Sequence, residues 1–175
     1  CGQVCDGLKR LIVHESKFEE VVKKLKSLIG IKKIGIAENK DTQVGPLVAE
    51  RQLRILKEQV EDAVSKGAKI EIGGKSPKNL KGAFYELTLI TNVKQNMRIW
   101  QEEVFGPVLP IVPFKTYEEA IKLANDTKYG LGGYIFTKNR ELFLKAAAEI
   151  KTGMISLNNT SHLMPCNPFG GCKSS

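Results

Sequence analysis

Residues 108–127 read VLPIVPFKTYEEAIKLANDT. An apolar run of strand character passes almost directly into a helix with its own start signal. Thr116 stands at the N-cap and Glu119, three residues on, completes the capping-box spacing. The two prolines of the run, Pro110 and Pro113, predict an irregular or edge strand, because proline cannot donate to a sheet ladder. A strand feeding a helix within a few residues is the unit from which α/β folds are built, so the question is whether the pattern recurs.

It does. RLIVHE (10–15) reads as a short strand, followed by a helix with Ser16 at its N-cap and Glu19 at the capping-box position. That helix is expected to bury Phe18, Val21, Val22, Leu25, Leu28 and Ile29 and to stop at Gly30. A loop through AENKDTQVGP (37–46) leads to a second helix near 47–66. Its apolar positions Leu53, Leu56, Val60, Ala63 and Val64 recur at helical spacing, and Gly67 suits the C′ position. AKIEIGG (68–74), YELTLITNV (85–93), GGYIFT (132–137) and GMISLNN (153–159) read as strands, and NRELFLKAAAEI (139–150) as a helix. The expectation is one α/β domain over residues 1–175, a three-layer αβα sandwich with a mostly parallel sheet.

Composition narrows the function classes. Twenty-seven Lys and Arg against nineteen Asp and Glu give a formal charge of +8. The lysines are spread beside glutamates along helical faces, as in KFEEVVKKLK, with no RNA-binding signature, so no nucleic-acid partner is expected. No apolar run is long enough to span a membrane, and no secretory leader is visible, which points to the cytoplasm. The four cysteines, Cys1, Cys5, Cys166 and Cys172, lack the paired spacing of zinc sites, so no metal is expected and reduced thiols are. The chain starts on Cys1 rather than Met and reads as a piece of a longer protein.

Three partial motifs fail on their own terms. GGKS (73–76) lacks the upstream glycine of a phosphate loop, Lys69 standing in its place. GLGGYI (130–135) carries Ile135 where a dinucleotide fingerprint needs its third glycine, and it begins a strand rather than a strand-to-helix turn. His14-Glu15 opens a zinc-protease string, but Phe18 occupies the second histidine position.

GQVCDGL (2–8) has more content. If it opens a short helix, the Cys5 thiol sits at the positive end of the helix dipole, which favours the nucleophilic thiolate. WQEEVFGPVLPIVPF (100–114) adds two adjacent carboxylates, an aromatic residue and Gly-Pro before an apolar strand. NPFGG (167–171), NDTKYGLGGYIFT (125–137) and GMISLNN follow in order. Together these stretches resemble the NAD(P)-dependent aldehyde dehydrogenases, in their Gly-Gln-x-Cys, Glu-Glu-aromatic-Gly-Pro and Pro-Phe-Gly-Gly pieces. The resemblance runs the length of the chain and corresponds to that family's catalytic domain without its cofactor domain.

The resemblance implies that Cys5 is the nucleophile, forming a thiohemiacetal with an aldehyde and then a thioester that water hydrolyses to a carboxylic acid. It implies that Glu103 receives the nicotinamide-ribose hydroxyls of NAD or NADP and that Phe105 packs against the nicotinamide end. Val4, Asp6, Phe169 and the loop TSHLMPC (160–166) are implied as neighbours of a substrate pocket. The parent protein is implied to be a homo-oligomer. The family's general-base glutamate, oxyanion-hole asparagine and cofactor domain have no counterpart in these residues, so the chain by itself is expected to be inert. Departures from the family pattern are GIAE (35–38), where Gly-Asp-Pro is common, and Cys172, where tyrosine is common. A fragment of the same fold serving as a binding or structural protein is the alternative.

Overall fold

The computed structural model describes residues 2–160, 166 and 168–175. The chain, read from sequence as one domain, separates into two compact units, residues 1–114 and 115–175.

The first unit is built on a four-stranded sheet in the order β1-β4-β3-β2. Its strands are β1 (Leu11–His14), β2 (Lys69–Ile72), β3 (Thr88–Thr91) and β4 (Val108–Phe114). β1 and β3 both run parallel to β4, while β2 is antiparallel to β3. Helices α1 (Glu15–Gly30) and α2 (Glu50–Ser65) and a single turn of helix, α3 (Arg98–Gln101), complete the unit.

Strand alternation sorts the core into two layers. Leu89 and Ile90 are adjacent, so they face opposite sides of the sheet. Leu89 packs with Ile111, Leu11 and Val13 against Val22, Val21, Phe18, Leu25 and Ile29 of α1. Ile90 packs with Val108 against Leu53, Leu56, Val60 and Ala63 of α2. This unit is therefore a three-layer α/β/α arrangement on a mostly parallel sheet. Leu56, Leu89, Ile90 and Ile111 are fully buried, and each contributes about 1.5–3 kcal/mol of transfer free energy. Leu28 and Val64, expected in the core, are 48% and 44% exposed instead. They lie at the rim of their helical stripes, where the sheet no longer covers them.

β4 corrects the reading of its prolines, because it is a central strand. The two ladders are staggered along it: β3 pairs with 108–110 and β1 with 111–114. Pro110 is thus paired only toward β3 and Pro113 only toward β1, so neither has to serve two neighbours at once. The start of α1 is also corrected. The cap is His14, whose Nδ1 accepts the Ser16 amide hydrogen, and not Ser16 itself. The end of α2 follows the expectation: Gly67 sits at φ +95, with Ala68 N–H bonded to Ala63 O and Gly67 N–H to Val64 O.

In the second unit, α4 (Tyr117–Asn125) and α5 (Arg140–Glu149) accompany two short pairings. β6 (Gly132–Ile135) runs parallel to β7 (Met154–Leu157), and β5 (Tyr129–Gly130) runs antiparallel to β8 (Cys172–Lys173). The expected Thr116 cap is present: its Oγ1 accepts the Glu119 amide hydrogen, while Glu119 Oε2 accepts from the Lys115 amide. Asn158, at φ 51, exchanges two hydrogen bonds with the Thr137 backbone and so fixes the ends of β6 and β7 together. Gly170 has open space around it, whereas Gly171 and Gly153 do not, since a Cβ on Gly153 would strike the Gly170 carbonyl.

A bulge in β2 carries the strongest charge cluster of the first unit. Ile70 pairs with Ile90 but Ile72 pairs with Leu89, so Glu71 is the extra residue. The bulge lets Ile70 join the α2 layer and Ile72 the α1 layer. The Glu71 side chain, 9% exposed, meets Lys69 at 2.8 Å, Lys26 at 3.0 Å and the Thr91 hydroxyl at 3.0 Å. The Lys69 contact, against the opposing effect of burial, and then Lys26 and Thr91 hold its carboxyl down to about 2. A depressed carboxylate stabilises the fold above its unfolded value, and that contribution is lost as pH falls from 4.5 toward about 2. Glu71→Gln is expected to cost on the order of 2 kcal/mol at pH 7 and to flatten stability over that acid window. Urea unfolding at a series of pH values measures both effects; an unchanged acid slope would refute the assignment.

Candidate functional site

The candidate site lies in the first unit, where the Cys5 segment meets residues 102–106. Gly2–Leu8 is not helical, which corrects the expectation of a helix N-terminus. Gly7 N–H bonds to Val4 O at 3.1 Å, closing a tight turn with Cys5 and Asp6 at its centre. Cys5 is exposed, Val4 is 55% exposed and Asp6 is half-buried. The helix-dipole argument for the thiolate therefore falls away.

The opposing segment is set by α2. Gln52, Leu56 and Gln59 recur at i, i+4 and i+7 and so share one face of the helix. Gln52 Nε2 donates to Phe105 O at 3.1 Å, and Gln59 Nε2 donates to Glu103 O at 3.2 Å and Glu102 Oε2 at 3.1 Å. Between these bonds, a Cβ on Gly106 would come within 2.7 Å of Leu56 Cδ2. Glycine is required there for the backbone to lie against the helix. Gln59 is 1% exposed and, among the described residues, its Oε1 meets no hydrogen-bond partner. Burying that acceptor unpaired costs about 1–3 kcal/mol, which marks the two donated bonds as the reason for an amide in this core.

The adjacent carboxylates take opposite environments. Glu102 receives the Arg98 guanidinium in bidentate fashion, at 2.8 and 3.2 Å, in addition to Gln59. Arg98 holds its carboxyl below the usual range. It is an anchor of the α2–α3 corner. Glu103 is exposed and points the other way, with Oε1 3.8 Å from Lys9 Nζ. The Lys9 ammonium lies 4.7 Å from the centre of the half-buried Phe105 ring and donates to Gly2 O at 2.8 Å. Burial pulls the Lys9 pKa below its ordinary value, while the charges of Glu103, Cys5 and Asp6 oppose that fall.

The turn and the 102–106 segment are also in direct contact. Gly2 sits at φ +71, where a Cβ would strike the Gly106 carbonyl. Gln3 Oε1 accepts the Val48 amide hydrogen at 2.9 Å. Glu103 and Phe105 thus meet one lysine, which also bonds the base of the turn that carries Cys5 and Asp6. Phe169 belongs to the second unit, where it is 53% exposed. Residues 161–165 of the TSHLMPC loop, Asn167 and Cys1 lie outside the described residues. Lys9, Gln52 and Gln59 were not singled out from the sequence. The seven-residue spacing of the two glutamines beside a core leucine was the available signal for them.

Among the described residues no cluster of His, Cys, Asp and Glu could hold a metal ion, and no helix is long and apolar enough to cross a membrane. The model of the aldehyde dehydrogenase family matches residues 1–175. Succinate-semialdehyde dehydrogenase [NADP(+)] 2 of Schizosaccharomyces pombe is 39% identical over 175 residues, all of this chain and 36% of its own length. Aminoaldehyde dehydrogenase 1 of Pisum sativum, a peroxisomal protein, is 41% identical over 99% of this chain and 35% of its own. Among solved structures, the NAD+ complex of betaine aldehyde dehydrogenase from Staphylococcus aureus superposes with a TM-score of 0.93 at 36% identity. The NAD+ complex of aldehyde dehydrogenase from Bacillus cereus gives 0.94 at 34%. Both superpositions cover 98% of this chain and 35% of the other. The chain spans about a third of the length of the relatives it matches. A family match over every residue, with an α/β fold shared at this level of identity, makes the chain a member of the aldehyde dehydrogenase family.

Proposed function

We propose that this chain supplies the nucleophile, and part of the cofactor grip, of an enzyme that oxidises an aldehyde to a carboxylic acid with NAD or NADP. The observation that carries the reading is that Lys9 joins the base of the turn bearing Cys5 to both Glu103 and Phe105. A thiol exposed at the tip of a tight turn is accessible to a carbonyl carbon. An exposed carboxylate and an aromatic ring lie on the segment beside it.

In this reading the Cys5 thiolate adds to the aldehyde carbon, and the carbonyl oxygen takes the negative charge of the thiohemiacetal. Loss of hydride from that carbon leaves an acyl thioester on Cys5. Water then adds to the thioester carbonyl, and collapse releases the carboxylic acid and returns the thiolate, with one proton passing to solvent. A nicotinamide held by Glu103 and Phe105 would supply the hydride acceptor.

The residues present fit such a cofactor in part. Glu103 offers an acceptor to a pair of hydroxyls, and Phe105 an apolar ring with Lys9 over it. The relatives named above include an NADP+ enzyme and an NAD+ complex, and are named for a semialdehyde, an aminoaldehyde and betaine aldehyde.

Two outcomes test the reading. In the longer protein that carries this chain, Cys5→Ala is expected to lower kcat by about 10³-fold or more while leaving NAD(P)H binding within a few-fold, because it removes the covalent step and no cofactor contact. Steady-state rates and a fluorescence titration of NAD(P)H measure the two quantities. Retained turnover in Cys5→Ala would move the nucleophile elsewhere.

The 175-residue chain alone is expected to form no NAD(P)H from aldehydes. Contacts at Glu103 and Phe105 do not offset the roughly 4–15 kcal/mol of translational and rotational freedom lost on binding. Calorimetry with NAD(P) and an absorbance assay over a panel of aldehydes check this. Turnover by the short chain would overturn the division of the site between this segment and the rest of the enzyme.

A further inference from the structure

We propose that Lys9 is a positioning residue for the cofactor grip: it ties the Cys5 turn to the 103–105 segment and sets the direction of the Glu103 carboxylate. The assignment rests on the reading of Cys5 and Glu103 given above.

The geometry converges on one ammonium. Lys9 Nζ donates to Gly2 O at 2.8 Å, at the base of the turn. It lies 3.8 Å from Glu103 Oε1 and 4.7 Å from the centre of the Phe105 ring. It also passes beside Gly7 at the far end of the turn, 3.7 Å from where a Cβ on Gly7 would stand. The side chain is 19% exposed, which separates it from most surface lysines of this basic chain. A half-buried ammonium keeps its charge only among compensating groups, and here these include the Glu103 and Asp6 carboxylates.

The Glu103 backbone is fixed by Gln59, but its side chain is exposed and Lys9 is its ion partner. Without the ammonium the carboxylate regains its rotamer freedom, and a ribose would have to order it on binding. The cation over one face of the Phe105 ring likewise restricts that ring. Lys9 therefore acts on the cofactor through Glu103 and Phe105, and holds the turn to them through Gly2 O.

The test is a double-mutant cycle in the longer protein, with Lys9→Gln, Lys9→Arg, Glu103→Gln and the double variant Lys9→Gln/Glu103→Gln. Glutamine can still donate to Gly2 O but carries no charge. Lys9→Gln is expected to weaken NAD(P)H binding about three- to tenfold, as loss of one partly exposed charged partner predicts. Lys9→Arg should return it to within about twofold, and Lys9→Gln should have no further effect once Glu103→Gln is present.

Unchanged NAD(P)H affinity in Lys9→Gln, or strictly additive losses in the cycle, would overturn the proposal. A wild-type protein that binds no NAD(P)H would refute the cofactor reading, and with it the positioning role that rests on it. Should Lys9→Gln not fold, Lys9→Met takes its place. Loss of fold in both would make Lys9 a core element and overturn the positioning role.

Discussion

The candidate site depends on how closely residues 102–106 can lie against one face of α2. Gln52 and Gln59 donate into that backbone from two turns apart, and Leu56 fills the space between them because Gly106 has no side chain. The same glycine accepts the approach of Gly2, so the turn bearing Cys5 is packed on a segment already fixed by the helix. A β-carbon at position 106 would push on Leu56, which is fully buried and cannot retreat without opening the core. Site geometry and core packing are one constraint here.

That constraint gives two neighbouring glutamates different tasks. In an extended segment adjacent side chains face opposite ways. Glu102 turns toward Arg98 and Gln59, where a bidentate pair satisfies it. Glu103 turns toward Lys9 and the thiol-bearing turn and stays exposed. The first has its acceptors largely committed within the protein, and the second keeps capacity for a ligand. Chemistry at the exposed end is possible because the buried end holds the backbone still.

Much of the fold was legible in the sequence for a local reason. The helical stripes of 15–30 and 50–65, the Gly67 stop and the Thr116 cap all arise from residues within one or two turns of each other. The errors fall where a distant neighbour decides. Pro110 and Pro113 argue against a central strand until the stagger of the two ladders is known. Ser16 has the composition of a cap, but His14 reaches its amide first. Leu28 and Val64 sit at helical spacing, yet no facing element extends to cover them. The Glu71 bulge is invisible in KIEI, because it exists only as a register shift against β3.

The sequence by itself determined the α/β alternation, the identities of Cys5, Glu103 and Phe105 as the residues to watch, and the family. These rest on short-range periodicity and on ordered motifs that chance does not reproduce. Only the tertiary structure decided that the Cys5 segment is a turn rather than a helix. It alone also placed Lys9 against Glu103, Phe105 and the base of the turn that carries Cys5. Lys9 and Glu103 are separated by more than ninety residues of chain. Their pairing has no local signature, because it is made by α2 and β4 bringing two distant backbones to the same place.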